Sequence, residues 1–311
     1  MSQKFYFSYA RTGLDLILNE EKLSSDDEFL LPNFICDTIP DYLLKKNVKI
    51  IFYNINSNLR IDWDDLNNKI NINSKFLLIV NYFGFPLDLF RAVDFSKKKN
   101  LFLIEDSTHG HFGSVNNKEI GTFGDYGITS PRKHLPLKFG GILFSNNKTI
   151  KNPYNTIFYE NKLIDKLNYL FSTKFLSQKL LIKKYFNFNN SHHFDESIKD
   201  SCLDKFSFDK IQNINWSVIK NYKVQNYKFW ELFCKKNNLQ KVITMNTKQL
   251  NPWAYPVLLN NQEEVNYWMN WGRSKKVIIF CWPRIHQLVD KTSDAFELSK
   301  KMICFSTYTR L

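Results

Sequence analysis

Five short apolar runs pace the first half of the chain and restrict the folds open to it. They are Phe29-Leu-Leu-Pro32, Val48 to Tyr53, Lys75 to Val80, Leu101 to Ile104 and Gly141 to Ser145. Each has strand length, and helix-like stretches separate several of them, one starting near Asp37 and another running from Leu87 to Lys98. A strand, helix, strand rhythm of this kind builds a parallel sheet with right-handed crossovers. Ligands in such sheets sit at the carboxyl ends of the strands. The residues just past each run are therefore the first candidates for a site.

Leu101 to Ile104 leads into Glu105-Asp106-Ser107-Thr108-His109, and a loop further on holds Lys133 before the pair Gly140-Gly141. An acid at a strand end can hold a positive charge on a ring nitrogen. A lysine with a depressed pKa can condense with an aldehyde. Those are the two tasks of a pyridoxal phosphate site. Near the start, Ala10-Arg11-Thr12-Gly13 precedes the apolar run Leu14 to Leu18. A helix beginning there would point free N–H groups at a phosphate, or would simply use Thr12 as its cap.

In these residues the chain resembles the DegT/DnrJ/StrS family of aminotransferases. The resemblance rests on Glu105-Asp106-Ser107-Thr108-His109, Gly121-Thr-Phe-Gly124-Asp125, Lys133, Gly140-Gly141 and the turn Asn81-Tyr-Phe-Gly84-Phe-Pro86. It is specific between Leu31 and Ser145 and follows only a pattern beyond. It implies a fold-type-I α/β transferase, with a mostly parallel sheet flanked by helices and a smaller α+β C-terminal domain. The division expected is 1–190 and 191–311.

By the same resemblance Lys133 is the Schiff-base lysine and proton shuttle, and Asp106 partners the pyridinium nitrogen. His109 lies over the ring or bonds its phenolic oxygen, while Arg11, Thr12 and Ser130 hold the phosphate. Pyridoxal 5'-phosphate is the implied cofactor and glutamate the implied amino donor. The implied acceptor is a keto sugar, nucleotide-linked, for surface polysaccharide or related biosynthesis, and the implied assembly is a homodimer. Three departures stand out. Cys36 lies where many relatives have a ring-stacking aromatic, Ile128 where many have a phosphate-binding serine, and Lys220 and Lys223 where arginines are usual.

Composition narrows the alternatives. With 43% apolar residues in 311 the chain can bury a large core. The net charge of +13 is spread without a basic block, which suits solvation or an anionic substrate better than a specific nucleic-acid partner. The five cysteines have no CxxC spacing, and His192-His193 lacks a clustered third ligand, so no metal site is expected. No apolar run reaches membrane-spanning length and Met-Ser-Gln-Lys begins no signal core, so a cytoplasmic protein is expected. A pyridoxal phosphate sugar dehydratase and a degenerate binding or regulatory protein remain as rival readings. In the second half, Ile150 to Phe186 reads as helical and Asn187 to Phe194 as an irregular boundary. A long helix from Ile211 to Cys234, strands over Pro252 to Leu259 and Val277 to Phe280 with a helix from Glu263 to Trp271 between them, and a final helix from Ala295 to Cys304 are expected to complete the chain.

Overall fold

The computed structural model describes residues 2–150 and 202–308. Nine strands lie in the first of these segments: β1 (Gln3–Phe7), β2 (Glu28–Pro32), β3 (Lys49–Tyr53), β4 (Ser74–Val80), β5 (Phe102–Asp106), β6 (Ser114–Val115), β7 (Lys118–Glu119), β8 (Tyr126–Thr129) and β9 (Gly141–Ser145). The second segment adds β10 (Gln240–Lys241), β11 (Ala254–Leu258), β12 (Ile279–Cys281) and β13 (Met302–Ser306). Seven strands form one sheet in the order β1-β9-β8-β5-β4-β2-β3. The five strands from β8 to β3 run parallel, while β9 pairs antiparallel with both β8 and β1. The expected mostly parallel α/β sheet is thus present.

The sequence explains this core. All five residues of β2 are buried, as are all four of β8 and all five of β9, as expected of strands covered on both faces. One face packs Leu14, Ile17, Leu31, Leu43, Leu78 and Ile128 together. On the other face Leu30, Phe34, Leu77 and Ile79 share a continuous cluster with Tyr227, Trp230, Tyr255 and Phe305 from the C-terminal part. At about 25 cal/mol per Å² of apolar surface removed from water, this shared cluster fixes the second sheet against the first. Consequently, groups at the carboxyl ends of β2, β4 and β5 face residues that arrive from beyond position 250.

The second sheet has the order β10-β11-β13-β12 and is antiparallel. Here two expectations are corrected. The final helix covers Asp294–Lys301 only, and Met302–Ser306 is a strand. Each of its residues is buried, and it bonds to β11 on one side and β12 on the other, so tertiary pairing overrides the local helical pattern. The long helix is also two helices, Lys205–Asn213 and Trp216–Lys236. Ile214 is extended, with φ −77° and ψ 143°, and the Asn215 side chain accepts the Val218 N–H at 3.3 Å. Asn215 thereby caps a new start.

All but the first residue of the amphipathic stretch Ile150 to Phe186 lies outside the described residues. So do the 187–194 boundary with His192 and His193, and the division at 190/191.

Candidate active site

Asp106 ends β5 and is buried. The neighbouring strand ends are tied to it: Asn81 N–H donates to the Asp106 carbonyl at 2.9 Å, and Ser107 N–H donates to the Ile128 carbonyl at 2.8 Å. Its side-chain Oδ1 accepts the Thr108 N–H at 2.9 Å, which fixes the carboxylate's aim. Glu105, one residue earlier, points the other way. It accepts N–H groups of Gly121, Phe123 and Gly124 at 2.5–2.8 Å, so it clamps the following loop and has no free oxygen for chemistry. The choice of Asp106 over Glu105 follows from strand alternation.

Lys133 lies in a one-turn helix, Pro131–Lys133, that follows β8. Its Nζ donates to Thr108 Oγ1 at 3.2 Å, two residues past Asp106. Burial pushes its amine down to about 8, against an upward pull from the Asp106 and Cys36 side chains and a further downward push from Arg132. An amine in that range is partly neutral near physiological pH, which is the state a nucleophile needs. The carboxylate and the amine thus sit at the ends of adjacent strands.

His109 Nδ1 accepts the Phe83 N–H at 3.3 Å. Burial holds the ring well below its ordinary pKa, reinforced by the Lys133 charge. A neutral ring that accepts at Nδ1 carries its proton on Nε2, and Nε2 is buried with no hydrogen-bond partner among the described residues. The unmatched N–H is a donor awaiting an acceptor.

Thr12 stands where a one-turn helix, Ala10–Thr12, passes into the helix Gly13–Glu20. Its hydroxyl makes no cap bond and is likewise buried without a partner among the described residues. A Cβ on Gly141 would fall 2.2 Å from Ala10 N, so the glycine lets β9 press against this turn. Ser130 Oγ donates to the Gly140 carbonyl at 3.2 Å, which brings Ser130, the glycine pair and the Ala10–Thr12 turn to one corner. The Arg11 guanidinium lies 4.2 Å from the Tyr9 ring centre, and Arg132 lies 5.2 Å from the same ring.

Cys36, after β2, forms an isolated bridge with Ile285. Its thiol accepts the Thr38 hydroxyl at 3.4 Å, and burial raises its pKa. Reasoning from sequence misses two neighbours from the far part of the chain. Trp253 stacks on His109, with ring centres 4.2 Å apart and 23° between planes, and the Lys133 Nζ is 5.1 Å from its centre. Trp282 meets the His109 ring edge-on, with ring centres 4.7 Å apart. The available signal is the Asn251-Pro-Trp253 run just before an apolar strand, but nothing local in it points to Lys133.

Two orphaned polar groups, His109 Nε2 and Thr12 Oγ1, together with a poised amine and a fixed carboxylate, fit pyridoxal phosphate. Its phenolic oxygen would accept from His109, its phosphate from Thr12, and its ring nitrogen would face Asp106. Among the described residues no group of three or more His, Cys, Asp or Glu side chains could hold a metal ion. No described helix is long and apolar enough to cross a membrane.

Residues 7–161 match the model of the DegT/DnrJ/EryC1/StrS aminotransferase family. The GDP-perosamine synthase of Escherichia coli O157:H7 is 27% identical over 146 residues, which are 46% of this chain and 40% of that protein. The chain thus spans well under half the length of that relative in alignment. Among solved structures, the aminotransferase TlmJ from Streptoalloteichus hindustanus superposes with a TM-score of 0.69 at 15% identity, covering 98% of this chain and 80% of its own. The E. coli GDP-4-keto-6-deoxy-D-mannose-3-dehydratase with bound hydrated PLP superposes at 0.63 and 16% identity, covering 98% and 83%. These structural likenesses are likenesses of fold.

Proposed function

For a chain that belongs, over residues 7–161, to the DegT/DnrJ/EryC1/StrS aminotransferase family, we propose a pyridoxal phosphate-dependent transamination of a keto sugar. The observation that carries this reading is the Lys133 amine bonded to Thr108 at 3.2 Å, with the N–H of the same Thr108 bonded to the Asp106 carboxylate at 2.9 Å, at adjacent strand ends. The cofactor, when bound, supplies an aldehyde for an amine and a ring that draws electrons from the carbon next to nitrogen.

Each residue then has a definable task. Lys133 would hold the cofactor's aldehyde carbon through its amine, and the same amine, when free, would move a proton at the substrate carbon. Asp106 keeps the ring nitrogen protonated. The Nε2–H of His109 holds the phenolic oxygen, and Thr12, with Arg11 and Ser130 nearby, takes the phosphate. Glutamate as donor, a nucleotide-linked acceptor and a homodimeric assembly belong to this same proposal. The GDP-perosamine synthase relative supports the nucleotide-sugar part.

A dehydratase shares the fold, and that observation supports the second reading. Retention of a lysine at 133 favours transamination, since this amine can both bind and reprotonate. The test is to load purified protein with pyridoxal phosphate, reduce with borohydride and map the adduct, then to add glutamate and a nucleotide-linked keto sugar. We expect the adduct on Lys133, its loss in Lys133→Ala, and amino sugar formed at the expense of glutamate. Ammonia release without amino sugar would reverse the ranking, and a protein that never takes up the cofactor would end both readings.

A further inference from the structure

From the first sheet Thr108 bonds the Lys133 amine, Asp106, Cys36 and Arg132 act on it by charge, and the one ring among these neighbours in the described residues is the His109 imidazole, on which the Lys133 charge acts in turn. The aromatic surface comes from the opposite direction. Trp253 is 5% exposed and immediately precedes β11 in the second sheet. Its indole lies 5.1 Å from Lys133 Nζ and is stacked on His109.

The backbone around this indole is held tightly. Trp253 N–H donates to the Phe83 carbonyl at 2.9 Å, and its own carbonyl accepts the Thr307 hydroxyl at 2.8 Å. Two residues earlier, the Asn251 carbonyl stands 2.8 Å from where a Cβ on Gly84 would lie, and Asn251 Nδ2 donates to the His111 carbonyl at 2.7 Å. Gly84 has φ +92°, a backbone state in which a side chain is strained in any case. The Asn251–Trp253 segment is therefore pressed into the wall that carries His109. Phe280 packs 4.8 Å from Trp253 and so fixes the plane of the ring.

We infer that Trp253, delivered by the second sheet, is the aromatic wall of the Lys133 site, against which a planar, electron-poor ring bonded to Lys133 is held. This rests on the proposed function. Such a ring gains from contact with an electron-rich aromatic, and indole offers the strongest face. The site is in this sense built across two sheets, with chemistry from one and the wall from the other.

The test uses the full chain and pyridoxal phosphate itself, read by the emission of its seven tryptophans and by equilibrium binding. In the wild type, loading should quench a large part of the emission. Trp253→Phe, which keeps a ring and guards against simple unfolding, should bind within roughly threefold of wild type yet lose most of the quench. Trp253→Leu should weaken binding about tenfold. Trp282→Phe, altering the neighbour that meets His109 only by its edge, should leave the quench largely intact. Undiminished quenching and unchanged affinity in both Trp253 variants would overturn the inference while leaving the proposed function standing. Failure of the wild type to bind the cofactor would overturn both.

Discussion

Lys133 and Lys223 are two lysines that the fold drives toward neutrality, to about 8 and about 7 respectively, with burial the leading cause for each. Their surroundings differ. Lys133 is half-buried, touches Thr108 and feels the Asp106 carboxylate. Lys223, on the buried side of Trp216–Lys236, is 1% exposed. It has one long bond, 3.4 Å to Thr307 Oγ1, and a ring 5.5 Å away in Tyr308. No acidic side chain pairs with it among the described residues. Desolvation alone thus makes a weakly basic amine. A chemical site needs in addition a counter-charge that defines where the reacting ring sits, and a path by which a substrate reaches the amine.

The largest effect expected from this contrast is at Asp106. Asp106→Ala should slow the glutamate half-reaction by at least ~100-fold, because the ring nitrogen loses the charge that keeps it protonated. Cofactor retention should fall far less, since the amine and phosphate anchors remain. Because Asp106 pulls the Lys133 pKa upward, its removal should also move the pH at which cofactor capture is half-maximal below about 8. Rapid-mixing absorbance and equilibrium binding, carried from roughly pH 6 to roughly pH 10 so as to bracket the amine, measure the two effects together. Small and equal losses in both would make Asp106 a structural residue and would dissolve the distinction between the two lysines.

Much of this comparison is legible in the sequence, and the part that is not has a physical reason. Asp106 and His109 follow the Leu101 to Ile104 run, so the strand, helix, strand rhythm brings them to the carboxyl edge, while Lys133, on the turn after β8, is picked out by the family resemblance. The strand at 302–306 and the break at Ile214 escape a local reading because both depend on competition that periodicity does not register. Two neighbouring strands, remote in sequence, decide the first, and a cap that interrupts a continuous helical pattern decides the second. Trp253 is invisible for the same reason as the strand. Its approach to Lys133 is created by the core shared between the sheets, and no local pattern encodes it. In the sequence Lys223 stands out only as a substitute for arginine, and its burial emerges from the packing of Trp216, Tyr227 and Trp230 along the same helix.

An intermediate effect is expected at Lys223. A lysine whose native pKa is depressed keeps its proton in the unfolded chain over a range where the native state has lost it. Stability should therefore rise with pH between about 7 and 10.5, and the cost of the buried charge should be fully present below about 7. Lys223→Met removes that charge. The variant should gain most over wild type below about pH 7, on the order of a few kcal/mol, and the gain should shrink to nothing toward pH 10.5. Lys133 titrates in an overlapping range in both proteins, so the difference between their urea denaturation midpoints isolates Lys223. Parallel pH profiles would show that Lys223 is solvated in the native state.

The smallest effect expected lies at the start of the helix that carries Lys223. Asn215 accepts the Val218 N–H and begins the helix after the extended Ile214. Asn215→Ala leaves one helix-end donor without its acceptor and should cost about 1 kcal/mol. Asn215→Asp should recover that loss, because a carboxylate accepts the same N–H and also complements the positive end of the helix dipole. Neither change should alter the pH profile set by Lys223, which lies about two turns beyond the cap, or the cofactor affinity that we propose rests on Lys133. Thermal midpoints of the two variants at pH values on either side of the Lys223 transition decide the point. If Asn215→Ala instead flattens the pH dependence, then the first turn controls how deeply Lys223 is buried, and the two lysines differ in the rigidity of their supporting elements as well as in their counter-charges.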